Sequence, residues 1–419
     1  MSKMKKILPE LRFPEFKDSG EWGFIKLKQL GTFYRGLTYG AEDTASNGLL
    51  VLRSGNIQDD NLVLNNNLVF VNKECPENLK LQNGDIVICM SNGSKALVGK
   101  NAEYKGGYEG NITVGAFCSI LRPKNSFTKY LLQSDTYQDF IVLSIGGGNI
   151  NNLKNSDLEE FSCSAPKNRK EQQKIAACLS SLDELISAHS QKMELLKAHK
   201  KGLMQNLFPQ NGKKVPNCRF PEFKNDGEWK EKELGEIAKF AKGKGISKSD
   251  VVENGILPCI RYGELYTHYK EIITDVFSFT NVPVEGLILS KVNDVIIPSS
   301  GETHEDIATA SCVMKNGVAL GGDLIVIRPK INGIFLSYYL NNAKEREIAQ
   351  IAQGISVIHL YSNQLQCLKI AIPAKKEQQK IASCLSFLDE LITAQSKKIE
   401  QLKQHKKGLM QGLFPKINE

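Results

Sequence analysis

The sequence predicts an α+β protein in which two β-rich domains are joined by two long helices, the helices forming an antiparallel coiled coil within the chain on a pseudo-twofold plan. Three observations carry this expectation. The stretch Glu171 to Pro209 returns at Glu377 to Pro415 with roughly three quarters of its positions identical. Within each copy, apolar residues recur at alternating spacings of four and three, the pattern of a coiled-coil seam. Upstream of each copy, short alternating apolar runs bounded by Gly, Asn and Asp read as strands.

The elements follow in order. Residues 1–168 form the first domain, 169–209 the first helix, 210–375 the second domain and 376–416 the second helix. Each domain is introduced by the same segment, Arg12-Phe13-Pro14-Glu15-Phe16 before Trp22 and Arg219-Phe220-Pro221-Glu222-Phe223 before Trp229. The two tryptophans read as aromatic anchors of a junction. Between the shared ends the inserts diverge but keep landmarks at matching depths: Arg53 and Arg261, NGDIVI at Asn83 and NDVII at Asn293, LRPK at Leu121 and IRPK at Ile327. Asp85 and Asp294 are expected as turn residues before a strand. Helical stretches are expected near Lys129 to Asp139 and Ile334 to Ile351, and a strand-like segment closes each insert before Pro166 or Pro373.

In the first helix the seam runs through Ile175, Leu179, Leu182, Ile186, His189, Met193, Leu196, Lys200, Leu203 and Leu207. In the second it runs through Ile381, Leu385, Leu388, Ile392, Gln395, Ile399, Leu402, Lys406, Leu409 and Leu413. The polar members His189, Gln395, Lys200 and Lys406 set register at some cost in stability. A Leu-Phe-Pro ends each helix, because proline cannot continue the hydrogen bonding. A seam this narrow needs a partner, and the other copy in the same chain is the nearest one. Pairing between chains satisfies the spacing equally well, so the pattern alone does not choose.

Bulk properties bound the function. The chain has 419 residues, 41% hydrophobic and 24% charged, enough for two cores and without a low-complexity tract. No run of 18 apolar residues occurs and Met1 to Lys6 lead into polar sequence, so a cytoplasmic location without membrane insertion is expected. Ten cysteines stand singly with no zinc spacing, so no metal and no disulfide framework is expected; Cys178 and Cys384 read as small core residues. A net charge of +8 has the sign suited to a polyanion. Catalytic motifs fail on inspection. Gly93 to Lys100 has one residue too many for a phosphate loop, His304-Glu305 lacks the second histidine of a zinc helix, and Gly146-Gly147-Gly148 has no dinucleotide-binding context.

Where the inserts differ, specificity is the natural role. Candidate nucleic-acid contacts in the first are Arg53, Ser91, Asn92, Ser94, Lys95, Lys105 and Tyr108. In the second they are Arg261, Tyr262, Ser299, Ser300, Glu302, Thr303 and His304. Ser, Asn, Lys and Arg bond phosphates and base edges, and Glu accepts from cytosine N4. Arg53 and Arg261 are equally placed to bind phosphate or to pair with a nearby carboxylate. The residues leave open a second reading, a protein-binding scaffold on a coiled-coil rod.

The whole arrangement resembles the DNA-specificity subunit of type I restriction-modification systems. The resemblance rests on two variable domains, each followed by a long helix that starts Lys170-Glu171-Gln172-Gln173-Lys174-Ile175 or Lys376-Glu377-Gln378-Gln379-Lys380-Ile381 and ends near Gly-Leu-Met-Gln-x-Leu-Phe-Pro. It implies a non-catalytic subunit of a host-defence complex, without cofactor or small-molecule substrate. It further implies that each domain is a target-recognition domain reading one half of a split, asymmetric target on double-stranded DNA. The helices would then set the unread gap and dock two modification (methyltransferase) subunits, with restriction and translocase subunits joining them.

Overall fold

The structure, a computed structural model, describes residues 8–145, 152–210, 213–354 and 357–415; Gly146-Gly147-Gly148 lie outside them. The chain divides into two units, one of residues 1–189 with 398–419, the other of residues 190–397. The long helices, Arg169–Leu207 and Lys375–Leu413, have 39 residues each, about 58 Å at 1.5 Å per residue. Each therefore contributes its first half to one unit and its second half to the other. The expected fold class holds: two β-rich α+β domains on two long helices that pair within one chain.

In the first unit, a four-stranded antiparallel sheet runs in the order Gly31–Arg35, Cys118–Pro123, Ile86–Cys89, Asn101–Glu103. A second four-stranded sheet orders Ile112–Val114, Leu49–Leu52, Val69–Val71, Thr44–Ala45, with its first pair parallel. The entry strand Gly23–Lys26 pairs antiparallel with the exit strand Ser162–Ala165, so the insert is clipped shut at its base. The expected helix near Lys129 is two helices, Phe127–Leu131 and Asp135–Ile145. Their buried residues Phe127, Tyr130, Tyr137 and Ile141 join Ile175 and Leu179 in one core.

The second unit repeats the plan with variations. Its larger sheet orders Ala238–Lys242, Leu324–Pro329, Asp294–Pro298, Ser311–Val313, Ile272–Ile273, the last pair parallel. A three-stranded sheet of Ser278–Thr280, Leu257–Ile260 and Ala319–Leu320 lies alongside in sequence, and Lys230–Glu233 closes on Lys369–Ile372. The helical stretch is again split, into Gly333–Asn342 and Glu345–Ile351.

The shared landmarks are explained by what they hold. Asp85 accepts the Gln82 amide at 2.8 Å and the Arg122 guanidinium at 2.9 and 2.8 Å. Asp294 does the same with the Lys291 amide at 2.9 Å and Arg328 at 3.3 Å. Both aspartates are thus turn residues, and the arginine of each (L/I)RPK stretch is their counter-ion.

The repeated frame forms one joint, built twice. Arg12 makes a two-pronged bond to Glu171 at 2.8 and 2.8 Å and donates to Gly20 O at 2.6 Å. Arg219 does likewise with Glu377, at 2.7 and 2.7 Å, and with Gly227 O at 2.6 Å. Gln172 and Gln378 donate to the carbonyls of Pro166 and Pro373 at 2.8 and 2.9 Å, tying each helix start to the exit strand. Lys174 reaches Glu15 at 3.2 Å over the Phe13 ring, and Lys380 reaches Glu222 at 3.3 Å over Phe220. The helix start and the Arg-Phe-Pro-Glu-Phe segment are two halves of one lock.

Helix ends from the opposite copy complete each core. In the first unit Leu11 N donates to Gly412 O at 2.8 Å, and Phe414 packs edge-on against Trp22 and face-on against Phe127. In the second, Cys218 N donates to Asn206 O at 2.9 Å, and Phe208 packs on Phe335 and Tyr339. Ile175 at one helix start shares a core with Leu413 at the other helix end, while Asp183 further along meets Lys406 at 2.7 Å, so the halves run antiparallel. The second unit shows the same sense, with Ile381 near Leu207 and Asp389 on Lys200 at 2.7 Å.

None of the seam residues is exposed. Ile392, Ile399 and Leu402 are buried with Leu388, while Leu182, Ile186, Met193, Leu196, Leu203 and Leu409 are half-buried. Cys178 and Cys384 prove half-buried on the helices, not core residues, because they fall beside the seam. No helix among the described residues is long and apolar enough to cross a membrane.

The lysines at seam positions bind the domains to the helices. Asp183 accepts from Lys406, from Lys129 at 2.9 Å and from the Tyr130 hydroxyl at 2.9 Å. Asp389 accepts from Lys200 and from the Tyr338 hydroxyl, and Lys200 also reaches Glu271 at 2.9 Å. Burial would raise the Asp183 carboxyl, but Lys406 and Lys129 outweigh it and hold it below its ordinary value. Burial would lower Lys200, yet Glu271 and Asp389 keep its ammonium above the ordinary lysine value.

Candidate nucleic-acid interface

The candidate residues of the first domain stand on loops at the ends of buried strands, where a chain leaves the sheet with its polar groups free to face outward. Strand Ile86–Cys89 runs into Ser91, whose amide donates to Phe117 O at 3.2 Å. Asn92 then donates to the Ser54 hydroxyl at 2.9 Å, and Ser94 N donates back to Asn92 Oδ1 at 3.0 Å. That cross-link brings the Ser91–Lys95 loop beside Arg53. Arg53 is exposed, with its guanidinium reaching only the Asn67 carbonyl, at 3.4 Å. Lys95 is exposed at the start of a 3-10 turn, Lys95–Leu97. The false phosphate loop is tied off, because Lys100 donates to Ile57 O at 2.8 Å.

Lys105 and Tyr108 do not join this group. Antiparallel pairing of Ile86 with Glu103 carries the chain back, so Lys105 follows at the opposite end of the hairpin from Ser91. Lys105 is exposed there, whereas Tyr108 packs half-buried against the cluster of Leu50, Tyr104 and Ile112.

In the second domain, Arg261 and Tyr262 line a cleft of about 470 Å3 with Ser247, Lys248, Gly321 and Asp323. Ser299 borders it, donating its amide to Asp323 O at 2.9 Å. Arg261 is committed to a carboxylate: Glu264, buried one helical turn on, accepts from it at 3.1 and 3.0 Å. The two arginines thus differ, Arg261 being paired with a carboxylate and Arg53 entering no ion pair among the described residues. Tyr262 is half-buried and stands 6.4 Å from the Tyr266 ring.

Ser300 pairs in a short ladder with His359, their side chains 3.2 Å apart. Thr303 is a helix cap, since its hydroxyl accepts the Asp306 amide at 3.1 Å while Asp306 accepts the Thr303 amide at 3.2 Å. Glu302 and His304 flank it, both exposed. Sequence reasoning missed Ser54, Lys248 and Asp323; only Lys248 left a signal, as part of a lysine-rich run from Lys239.

Burial pushes the Cys118, Cys163 and Cys312 thiols up to about 12, far from a reactive thiolate. Among the described residues no group of three or more His, Cys, Asp or Glu side chains is placed to hold a metal.

Comparison with known proteins places the duplicated frame in a family. Residues 19–198 and 226–404 match the family model described as the type I restriction modification DNA specificity domain. The specificity subunit of the type I restriction enzyme EcoKI from Escherichia coli K12 is 29% identical over 210 residues, 47% of this chain and 44% of the relative. The chain thus matches less than half the length of that relative. The MjaIX specificity subunit from Methanocaldococcus jannaschii is 25% identical over 303 residues, 70% of this chain and 68% of the relative. Among solved structures, the S subunit of a type I restriction-modification system from M. genitalium shares the fold, with a TM-score of 0.61 at 18% identity over 98% of this chain and 100% of the other.

Proposed function

The chain belongs to the family defined by the type I restriction-modification DNA specificity domain, and from that premise we propose that it is the non-catalytic subunit that tells such a complex where to act. Each domain reads one half of a split, asymmetric target on double-stranded DNA. The paired helices set the unread gap and dock two modification subunits, to which restriction and translocase subunits are added. One observation carries the reading: two domains of the same plan, locked to the helices by the same joint, present different side chains at matching loops. In the first, Arg53, Ser94 and Lys95 are exposed beside half-buried Ser91 and Asn92, and in the second, Glu302 and His304 are exposed beside half-buried Ser299 and Ser300.

The test is co-expression with the cognate modification subunit in an unmethylated host and mapping of the methylated adenines. The expected result is a two-part motif with a fixed gap. Exchanging residues 23–168 for those of a relative is expected to change one half of that motif and leave the other intact; a change in both halves would overturn the reading. Adding one heptad to both helices, about 10.5 Å, is expected to widen the gap by about three base pairs at 3.4 Å each. An unchanged gap would remove the measuring role from the helices.

A further inference from the structure

The edge strand beside Cys118–Pro123 or Leu324–Pro329 and the loop after it occupy matching places in the two domains but differ in charge. From Gly31 to Asp43 the first domain reads GTFYRGLTYGAED, where Arg35 against Glu42 and Asp43 gives −1. From Ala238 to Asp250 the second reads AKFAKGKGISKSD, where Lys239, Lys242, Lys244 and Lys248 against Asp250 give +3. The match is structural. Both strands lie at the sheet edge, antiparallel to Cys118–Pro123 or Leu324–Pro329. Both chains then leave through a glycine pressed on the backbone, where a Cβ on Gly36 would lie 2.2 Å from Gly115 O and one on Gly243 2.0 Å from Gly321 O. Both loops close on an aspartate, Asp43 accepting the Gly40 amide and Asp250 the Ser247 amide, each at 2.8 Å.

The loop after the strand two places across the sheet, Ile86–Cys89 or Asp294–Pro298, carries the opposite imbalance. Met90 to Leu97 in the first domain holds Lys95 alone, +1, while Ser299 to Ile307 in the second holds Glu302, Glu305 and Asp306, −3. Positive charge therefore sits on different elements of the two domains. In the second domain, Lys242, Lys244 and Lys248 are exposed and enter no ion pair among the described residues. Lys248 lines the cleft with Arg261, and Lys242 stands opposite Ile325, next to the Asp323–Leu324 turn that Ser299 touches from the other side. Arg261 is neutralised by Glu264, so Lys248 supplies the unpaired positive charge lining the cleft, with exposed Lys242 and Lys244 just before it in the chain. Lysine, a flexible point charge, suits phosphate better than the planar edge of a base.

We infer that the second domain grips the DNA phosphodiester backbone with Lys242, Lys244 and Lys248, whereas the first domain grips it from the Ser91–Lys95 loop with Arg53. The inference rests on the reading that both domains bind DNA. Each neutralised phosphate adds about 0.9 to the slope of log affinity against log salt.

The experiment measures that slope for the full chain on a duplex of mixed sequence. The triple variant K242Q/K244Q/K248Q is expected to lower the slope by two to three and to weaken binding more than tenfold at about 0.15 M salt, with circular dichroism and unfolding midpoint unchanged. R35Q, the only cation on the matching element of the first domain, is expected to change the slope by less than one, and R53Q/K95Q by about two. A triple variant with the wild-type slope overturns the inference while leaving DNA binding by the wild type in place. Wild-type chain showing no salt-dependent binding overturns the underlying reading as well.

Discussion

At the first joint the Trp22 indole donates to Glu171 at 3.1 Å, so that one carboxylate satisfies both an arginine and a tryptophan. At the second joint Trp229 is as deeply buried, but its Nε1 has no acceptor among the described residues, although Arg219 and Glu377 meet at nearly the same distances. The seam lysines differ in the same spirit. Asp183 has two cations, Lys406 and Lys129, whereas Lys200 alone faces both Asp389 and Glu271. Duplicated sequence has preserved the ion pair that fixes each domain while letting its surroundings drift. Strength at one spot in one half is therefore matched by economy at the same spot in the other.

The largest test of this contrast removes the buried acceptor. Glu171→Ala and Glu377→Ala each leave a half-buried arginine without its counter-ion, at a cost of about 3 kcal/mol. Glu171→Ala is expected to cost more, because Trp22 loses its acceptor too; urea unfolding of the two variants checks the order. Next come the seam lysines. Lys200→Met strands two carboxylates and is expected to destabilise by about 3 kcal/mol, whereas Lys406→Met leaves Lys129 on Asp183 and is expected to cost less than half of that. Equal thermal shifts would abolish the distinction.

Smaller still is the effect of the indole bonds. Trp22→Phe is expected to lose about 1 kcal/mol beyond the loss in Trp229→Phe, since only the first breaks a hydrogen bond. The smallest is a shift in pH dependence. The Asp183 carboxyl lies below its ordinary value of 3.8, so its contribution is complete above that value and is lost as pH falls through the lowered one. Lys129→Met removes one of the cations that lower it, and the acid unfolding edge is expected to move to higher pH. Lys200 works at the other extreme, with stability complete below 10.5 and lost as pH rises through its raised value.

The frame was legible because repetition marks it: Glu171, Gln172, Trp22 and Arg12 each recur in the second copy as Glu377, Gln378, Trp229 and Arg219. What they do to one another was not, since Arg12 and Glu171 are 159 residues apart. The interface was legible in part. The Ser91–Lys95 and Ser299–His304 loops could be placed by the strands before them, but the Asn92 bond to Ser54 spans 38 residues and leaves no local trace. Thr303 and Arg261 are different, because Thr-x-x-Asp and Arg-x-x-Glu are short-range patterns of helix starts and could have been read as caps and pairs. Lys105 and Tyr108 were grouped with Ser91 by composition, and strand pairing separated them.

The chain has two tryptophans, and each is sealed into one of the two joints. Their emission consequently offers a built-in optical label for each half of the protein. A variant keeping Trp22 reports the first domain alone, and one keeping Trp229 the second, so that loosening of either half can be followed in the intact molecule without attaching a dye.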